Sequence, residues 1–205
     1  MKPSKTSKAW MKEHVNDFFV KQAQKDGYRS RAAYKLLEID ERDHILKPGM
    51  LVIDLGAAPG SWSQVARQKL KNTGKVVALD ILEMAPLPGV EFIQGDFRED
   101  DLTLEIQKYF NNQQPDLVMS DMAPNMSGIV ISDQANSMYL AELALAFSTE
   151  HLNYGGNFLV KIFQGRDFDQ FLRTMRLSFK QVVIRKPKAS RNRSNELYLL
   201  GIEKK

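Results

Sequence analysis

The stretch LVIDLGAAPGSWSQVA, which runs from Leu51 to Ala66, decides the fold. Its first five residues are apolar except for Asp54, and a loop of glycine, alanine and proline follows them. From Trp62 onward the apolar residues have the spacing of an amphipathic helix. A strand, a glycine-containing loop and a helix in this order predict the first unit of an α/β protein, whose ligand lies beyond the carboxyl ends of the strands.

Apolar segments rich in β-branched residues recur along the chain and predict seven strands, at 50–55, 75–81, 90–96, 116–122, 156–163, 181–186 and 196–203. Helical periodicity is present at 62–70, 101–110 and 133–151, and also at 30–46, where Ser30 is the expected N-cap. This alternation predicts a mostly parallel, seven-stranded sheet with helices on both faces. The last two strands are joined by a basic loop without a helix, so they should pair antiparallel and leave the last strand reversed.

The 205 residues correspond to one domain, and we expect a basic N-terminal extension at 1–29 and a single domain at 30–205. No apolar run approaches the roughly 20 residues that cross a bilayer, so no membrane association is expected. The chain has no cysteine, which excludes disulfides and fits a reducing, cytoplasmic compartment. Its three histidines lie far apart without metal-ligand spacing, so no metal is expected.

Two segments are strongly cationic, although the net charge is only +4. Residues 1–35 and residues 180–193 each carry a net charge of +6, and the remainder carries −8. Positive charge concentrated in this way favours a polyanionic partner such as nucleic acid. The alternative is a solvated tail and a solvated loop.

The loop after the first strand matches neither common phosphate-binding pattern. A dinucleotide site needs glycine at 56, 58 and 61, where the chain has Gly56, Ala58 and Ser61, and the Gly-Lys-Ser/Thr ending of a P-loop is missing. Gly56 and Gly60 would let the backbone approach a ligand closely, and the carboxylate of Asp54 suits a cation. A nucleoside with a positively charged amino acid moiety, S-adenosylmethionine, fits this pattern. The alternative is a tight turn that holds nothing.

Three further aspartates, Asp80, Asp96 and Asp121, end the second, third and fourth predicted strands. Together with Asp54 they would line one rim of the sheet, which suits a sulfonium nucleoside and would repel the phosphates of a dinucleotide. Asp80 is placed to accept hydrogen bonds from ribose hydroxyls, and Asp96 to contact the adenine edge. One such aspartate alone is usually a turn former. Trp62 is either a cofactor contact or a residue packed beneath the first helix.

Five motifs, in the same order, resemble the ribosomal RNA large-subunit methyltransferase E family, also called FtsJ. They are YRSRAAYKL, DLGAAPGSWSQVA, VMSDMAPNMSG, FLVKIFQG and SRNRSNELYLLG, and the likeness covers the chain from about residue 10 onward. The resemblance implies a Rossmann-like, class I S-adenosylmethionine-dependent methyltransferase. It also implies methyl transfer to the ribose 2′-hydroxyl of a uridine in the A-loop of 23S rRNA, within the assembled 50S subunit.

The same resemblance transfers the family's functional residues to this chain. Its Lys-Asp-Lys-Glu catalytic set falls on Lys35, Asp121, Lys161 and Glu196, with Lys161 as the proton acceptor. Its cofactor-binding positions fall on Gly60, Trp62, Asp80, Asp96 and Asp121.

Lys161 stands within an otherwise apolar strand, which is an unusual place for a lysine. Next to Lys35, desolvation and like charge would disfavour its ammonium form and leave an amine that accepts the hydroxyl proton. Asp121 and Glu196 would act in the opposite sense, and the sequence does not decide between the two effects. A second version keeps Lys161 charged and lets it orient the oxygen's lone pair. The structural alternative is a lysine that reaches solvent or pairs with a carboxylate.

Basic residues near both ends of the chain are the predicted RNA contacts, because lysine and arginine bind phosphates and neighbouring aromatic rings stack on bases. They are Arg29, Arg31, Lys186, Lys188, Arg191 and Arg193. The second group directly precedes Glu196, so both groups should converge on the catalytic lysines. The alternative for each of them is a solvated side chain.

Other functions stay open at this point. A nicotinamide-dependent oxidoreductase is disfavoured by the missing third glycine and the acidic rim. A base methyltransferase commonly has an Asn/Asp-Pro-Pro-aromatic motif after the fourth strand, where this chain has DMAPN. Another RNA, such as a tRNA anticodon loop or an mRNA cap, and a role as a non-catalytic RNA-binding assembly factor are the remaining alternatives. One RNA-facing surface without an obvious apolar patch predicts a monomer.

Overall fold

A computed structural model of the chain describes residues 17–71, 73–124, 127–190 and 194–205, without the side chains of residues 100 and 103. The helices in these ranges are α1 (Phe18–Asp26), α2 (Ala33–Asp43), α3 (Ser61–Lys69), α4 (Asp100–Tyr109), α5 (Val130–His151) and α6 (Phe168–Ser178). The strands are β1 (Leu51–Leu55), β2 (Lys75–Asp80), β3 (Val90–Gln94), β4 (Leu117–Ser120), β5 (Asn157–Phe163), β6 (Phe179–Arg185) and β7 (Glu196–Lys204).

The seven strands form one sheet in the order β3-β2-β1-β4-β5-β7-β6. Strands β1 to β5 pair in parallel, and β7 lies between β5 and β6 and is antiparallel to both. The predicted fold class, with a mostly parallel sheet and a reversed last strand, is therefore confirmed. Each observed strand boundary lies within two residues of its predicted position.

Helices cover both faces of the sheet because neighbouring residues of a buried strand point to opposite sides. In β1, Val52 contributes to a core cluster with residues of α2 and α3, and Ile53 contributes to a second cluster with residues of α4, α5 and α6. Both residues are fully buried. The same alternation decides which strand residues face α2, and this is the face on which the candidate site is built.

Two details of the helices differ from the predictions. Helix α6, between β5 and β6, was not predicted. Ser30 is not an N-cap, because α2 begins at Ala33 and no side chain caps it. The Ser30 hydroxyl instead accepts a hydrogen bond from the backbone N–H of Ala32 (3.2 Å) and bonds the Ser61 hydroxyl (2.6 Å).

The described part of the predicted extension, residues 17–29, packs on the rest of the molecule. Asp17 caps α1 by accepting a hydrogen bond from the backbone N–H of Phe19, and the Tyr34 hydroxyl donates to Asp26 at 2.6 Å. The Phe19 and Tyr34 rings lie 5.5 Å apart. Residues 1–16 lie outside the described ranges, so a boundary at residue 29 stays a prediction.

Three consecutive apolar residues at the start of α5, Ile129, Val130 and Ile131, are exposed. The expectation that the chain has no obvious apolar patch is therefore wrong at this point, and the monomeric state stays a prediction. No helix among the described residues is both long enough and apolar enough to cross a membrane.

Candidate active site

The register of the sheet brings residues from four distant parts of the chain together. Lys161 in β5 lies directly opposite Tyr198 in β7, so the two side chains project from the same face. Glu196 precedes Tyr198 by two residues and shares that face. Helix α2 packs on the same face and carries Lys35, and Asp121 follows the last residue of β4.

The four residues of the predicted catalytic set form a connected ion-pair network. Nζ of Lys35 lies 3.0 Å from Oε1 of Glu196 and 3.6 Å from Oδ2 of Asp121. Nζ of Lys161 lies 3.1 Å from Oδ1 of Asp121 and also donates to its backbone carbonyl. Lys35 and Lys161 are only 8% and 7% exposed. The predicted convergence is thus confirmed, while the catalytic roles stay predictions.

Tyr198, at the centre of this network, was not predicted from the sequence. It is fully buried, its hydroxyl donates to Oδ1 of Asp121 at 2.7 Å, and Oε1 of Glu196 lies 3.3 Å away. Nζ of Lys35 lies 5.6 Å from the ring centroid. Ser190 was also missed, and its hydroxyl donates to Oε1 of Glu196 at 2.7 Å. The available signal for Tyr198 was its spacing of two from Glu196 on one strand.

The network keeps the carboxyl group of Asp121 ionised. Burial alone raises the pKa of Asp121, but the charges of Lys161 and Lys35 and the hydrogen bond from Tyr198 outweigh burial, and the pKa lies below its ordinary value. Burial and the two nearby carboxylates raise the pKa of Tyr198 well above 10. The phenol therefore remains a hydrogen-bond donor across the physiological pH range.

The loop after β1 is held tightly to the end of β2. The backbone N–H groups of Gly56 and Ala57 donate to the carbonyl of Leu79 at 2.8 and 3.0 Å. Gly56 has φ +71°, and a Cβ atom there would lie 2.2 Å from Cγ of Met122. At Gly60, φ is +100°, and the nearest atoms belong to the side chains of Met84 and Arg29.

These neighbours give a structural reason for the two glycines. Protein side chains fill the space beside Gly56 and Gly60, so packing and positive φ favour glycine at both positions. That the two glycines let the backbone approach a ligand closely stays a prediction. In cofactor binding, which stays a prediction, these two residues would contribute contacts through their backbone atoms.

Asp54, near the end of β1, is 1% exposed and accepts a hydrogen bond from the Ser63 hydroxyl at 2.6 Å. Burial raises the pKa of Asp54 to about 7, and the hydrogen bond from Ser63 opposes this shift. The carboxylates of Asp121 and Asp80 add to it. The group therefore changes protonation near neutral pH.

The other two predicted rim aspartates already have partners. Asp80 accepts hydrogen bonds from the backbone N–H of Ala58 and of Leu82, both at 2.8 Å. Asp96 is paired with the guanidinium of Arg98, which lowers the pKa of the Asp96 carboxyl group. Each carboxylate has lone pairs beyond those used by these partners, so both can still accept bonds from a ligand.

Trp62 is 2% exposed, and its indole N–H donates to the carbonyl of Ala32 at 2.9 Å. Its ring centroid lies 5.7 Å from that of Tyr198, within the core on the α2 side of the sheet. The side chain is therefore committed to packing, which was the alternative interpretation. Trp62 also lines the cleft described next, so a contact with a cofactor through its backbone stays a prediction.

A cleft of about 40 Å³ at the carboxyl edge of the sheet joins the loop to the ion-pair network. Its lining residues are Ser30, Ala32, Asp54, Gly56, Ala57, Ala58, Pro59, Ser61, Trp62 and Asp121. The cleft is far smaller than the roughly 300–1,000 Å³ pockets that usually hold small-molecule ligands, so most of a nucleoside would lie on the open rim.

A larger cavity of about 830 Å³ lies at the opposite, amino edge of the sheet, near Leu51 and Asp116. None of the predicted site residues lines it. We assign the site to the smaller cleft, because ligands of open α/β sheets bind at the carboxyl edge and the buried titratable groups are there.

Among the predicted RNA contacts, the arginines near the N-terminus are occupied by protein groups. Arg29 donates to three backbone carbonyls, and Arg31 pairs with Asp17 and donates to the carbonyl of Ala189. Both side chains therefore have protein partners, and their role as RNA contacts stays a prediction.

The described part of the loop between β6 and β7 carries two exposed lysines. Nζ of Lys186 donates to the carbonyls of Ser194 and Glu196 and thereby closes the loop. Lys188 is exposed, and its backbone N–H donates to Glu38 at 2.7 Å. The predicted contacts Arg191 and Arg193 lie outside the described residues. Within the described ranges, no group of three or more His, Cys, Asp or Glu side chains could hold a metal ion.

Comparison with known proteins adds independent findings. Residues 28–204 match the family model described as FtsJ-like methyltransferase. A protein of Nitrosospira multiformis named ribosomal RNA large subunit methyltransferase E is 66% identical over 205 residues, covering all of both chains. A protein of the same name from Methylobacillus flagellatus is 63% identical and covers all of this chain and 99% of that one.

Among solved structures, a Plasmodium falciparum protein provisionally described as a ribosomal RNA methyltransferase superposes with a TM-score of 0.78. It is 32% identical and covers 86% of this chain and 98% of its own.

Proposed function

The chain belongs to the FtsJ-like methyltransferase family, and on that premise we propose that it methylates a ribose 2′-hydroxyl of large-subunit ribosomal RNA. The observation that carries this proposal is the buried network of two lysines and two carboxylates beside the loop after β1. In that network the carboxylate of Asp121 lies 3.6 Å from Nζ of Lys35 and 3.1 Å from Nζ of Lys161. The proposed methyl donor is S-adenosylmethionine, and the proposed target is a uridine in the A-loop of 23S rRNA in the 50S subunit.

The residues of the cleft fit this donor by their chemistry. S-adenosylmethionine supplies a methyl group on a positively charged sulfur. Asp121 is held ionised at one end of the cleft, which suits a cation. Asp80 and Asp96 stand at the ends of the next two strands with free lone pairs, and we propose that they bind the ribose hydroxyls and the adenine. Gly56 and Gly60 would contribute backbone contacts.

The chain's own part in the reaction is to align the hydroxyl and to take up its proton. We propose that Nζ of Lys161 accepts this proton as a neutral amine. The ammonium that results is stabilised by Oδ1 of Asp121 at 3.1 Å. Glu196 holds Lys35 at 3.0 Å, so Lys35 is fixed where its charge can orient the ribose oxygen. Alignment of this kind contributes up to about 7–11 kcal/mol in favourable cases.

In the second version of this mechanism Lys161 stays charged and only orients the oxygen. The ionised carboxyl group of Asp121 gives this version physical support, since it attracts an ammonium group. Arginine cannot lose its proton in a protein. Lys161→Arg should therefore abolish activity at every pH if Lys161 is the proton acceptor, and retain part of it if Lys161 only orients the oxygen. Rates between pH 6 and pH 10 distinguish the two versions.

The substrate assignment rests on the curated relatives and on the charge of the chain. The two relatives described above are named for the large ribosomal subunit, and both are full-length matches. The exposed Lys188 lies on the loop that ends at Glu196, so a phosphate bound there would be close to the proposed catalytic residues. We propose that the protein acts as a monomer in the cytoplasm, where ribosomal subunits are assembled in bacteria.

The test is transfer of a tritiated methyl group to 50S subunits that lack the modification. The labelled nucleoside, identified by mass spectrometry, should be a 2′-O-methyluridine, and Lys161→Ala should give no label. Label in a base would contradict the proposal. Label in a tRNA anticodon loop but not in 50S subunits would support the alternative substrate. RNA binding with no label from the wild-type protein would support a non-catalytic assembly factor.

A further inference from the structure

We propose that Arg29 is a positioning residue of the methyl-donor site, which holds two loops around the donor rather than binding RNA. The inference rests on the proposed function, because it presumes that the cleft receives S-adenosylmethionine. It gives a different role to a residue whose sequence context predicts an RNA contact.

The guanidinium of Arg29 connects the loops that follow β1 and β2. One of its terminal nitrogens donates to the carbonyls of Pro59 at 2.9 Å and of Ala85 at 2.7 Å. The other donates to the carbonyl of Pro86 at 2.6 Å. Without this cation, these three carbonyls would lose the donors that Arg29 supplies, and one of them belongs to Pro59, which lines the cleft.

Gly60 allows this approach. A Cβ atom at Gly60 would lie 2.8 Å from a terminal nitrogen of Arg29 and 2.7 Å from the sulfur of Met84. Met84 is 4% exposed and packs with Ala57. The two loops are therefore in contact through Met84, and the hydrogen bonds from Arg29 fix their positions relative to each other.

The backbone around Arg29 is itself part of the cleft. Ser30 and Ala32 line the cleft together with Asp54 and Asp121. The backbone N–H of Arg29 donates to the side chain of Gln64 in α3 at 3.1 Å. The Ser30–Ser61 hydrogen bond and the Trp62–Ala32 hydrogen bond, described above, fasten the same segment to the start of α3. The segment 28–32 is thus one wall of the donor site, and Arg29 connects it to the two loops.

Only an arginine can make this set of contacts. Its planar fork presents donors in several directions from a rigid group, whereas the lysine ammonium is a single point on a flexible chain. A lysine at position 29 keeps the charge but reaches at most some of the three carbonyls. The donor site would then lose its fixed shape while the charge available to RNA stays the same.

The experiment compares Arg29→Lys with the wild-type protein by isothermal titration with S-adenosylmethionine in the absence of RNA. Loss of hydrogen bonds to a charged group should raise the donor Kd about tenfold. The KM for the donor should rise by the same factor, with kcat and the KM for RNA within about twofold of the wild type. Arg173→Lys, an equivalent substitution at an exposed position of α6, is the control and should leave the donor Kd unchanged.

The possible outcomes separate this proposal from the proposed function. If the wild-type protein does not bind the donor, the proposed function fails. If the wild type binds the donor and Arg29→Lys binds it equally well but binds RNA more weakly, Arg29 is an RNA contact and the inference is wrong. Hydrogen exchange gives a second readout: the amides of Ala58, Gly60, Ala85 and Leu87 should exchange faster in Arg29→Lys, and those of α6 should not. Equal exchange in both regions would also contradict the proposal.

Discussion

At the scale of single residues, Asp54 is the most deeply buried carboxyl group in the described part of the chain. It is 1% exposed, and burial raises its pKa to about 7 from an ordinary value of 3.8. The unfolded chain releases this proton near pH 4, while the folded protein keeps it up to about pH 7. The folded state therefore binds more protons in that window, and the free energy of unfolding falls as the pH rises through it.

Asp54→Asn should remove this dependence, because an amide does not titrate. The difference in free energy of unfolding, variant minus wild type, should therefore increase by up to about 4 kcal/mol between about pH 4 and about pH 7. Urea unfolding at several pH values measures the difference. Ser63→Ala, which removes the hydrogen bond that opposes the shift, should extend the window above pH 7. A difference between Asp54→Asn and wild type that is constant with pH would contradict the prediction.

The sequence predicted the charged members of the site better than their neighbours. A lysine within an apolar strand and aspartates at strand ends are visible as exceptions to a pattern, and Lys161 and Asp121 do meet. Tyr198 and Ser190 follow the pattern of their surroundings. The register of β7 against β5 identifies Tyr198, and the folded loop before β7 brings Ser190 to Glu196. The side chains of Met122 and Arg29 that fill the space beside the glycines come from other parts of the chain, and no local pattern contains that information.

At the scale of elements, α2 is attached to the far edge of the sheet. The carboxylate of Asp43 accepts two hydrogen bonds from Arg185 in β6, at 2.7 and 2.5 Å. These bonds raise the pKa of the Arg185 guanidinium. Glu38, about one turn earlier in α2, accepts a hydrogen bond from the backbone N–H of Lys188 at 2.7 Å. The helix that carries Lys35 is therefore fixed to the strand and loop that lead to Glu196.

Asp43→Ala should lower the free energy of unfolding by about 2 kcal/mol, since a two-pronged, mostly buried contact to a charged group is lost. Chemical denaturation at pH 7 measures the change. The control is Glu41→Ala, an exposed acidic residue on the same helix, for which the change should stay within about 0.5 kcal/mol. Equal effects of the two substitutions would show that the Asp43–Arg185 pair does not contribute.

Among the elements, strands were predicted better than helix ends. Strands of a parallel sheet are continuous apolar runs, which a sequence displays directly. Helix α6 was missed although Phe168, Phe171, Leu172 and Met175 have helical spacing and are all buried. The start of α2 was misplaced because Ser30 has the right chemistry for a cap, but its hydroxyl is used by Ser61. Such competition between local and tertiary partners is decided only in the folded chain.

At the scale of the whole molecule, RNA binding should depend on where the positive charge lies rather than on its total. Lys188→Gln and Lys108→Gln each lower the net charge from +4 by one, and both lysines are exposed. Lys188 lies on the loop before β7, and Lys108 lies in the last turn of α4. Lys188→Gln should lose one phosphate contact, which reduces the slope of log Kd against log salt by about 0.7. Lys108→Gln should leave this slope unchanged. Filter binding to a 23S rRNA fragment over a salt series measures both slopes, and equal slopes would contradict the prediction.

The position of β7 also has a consequence during translation. Because β7 lies between β5 and β6, a nascent chain that ends before residue 196 holds two strands whose facing edges have no partner. Synthesis of β7 therefore completes the sheet and brings Glu196 and Tyr198 to the site together. We expect released chains truncated after residue 190 to be cut rapidly by protease in the β5–β6 region, and the 205-residue chain to resist. In this protein, pairing of β7 with its two neighbours and assembly of the proposed reaction centre are one event.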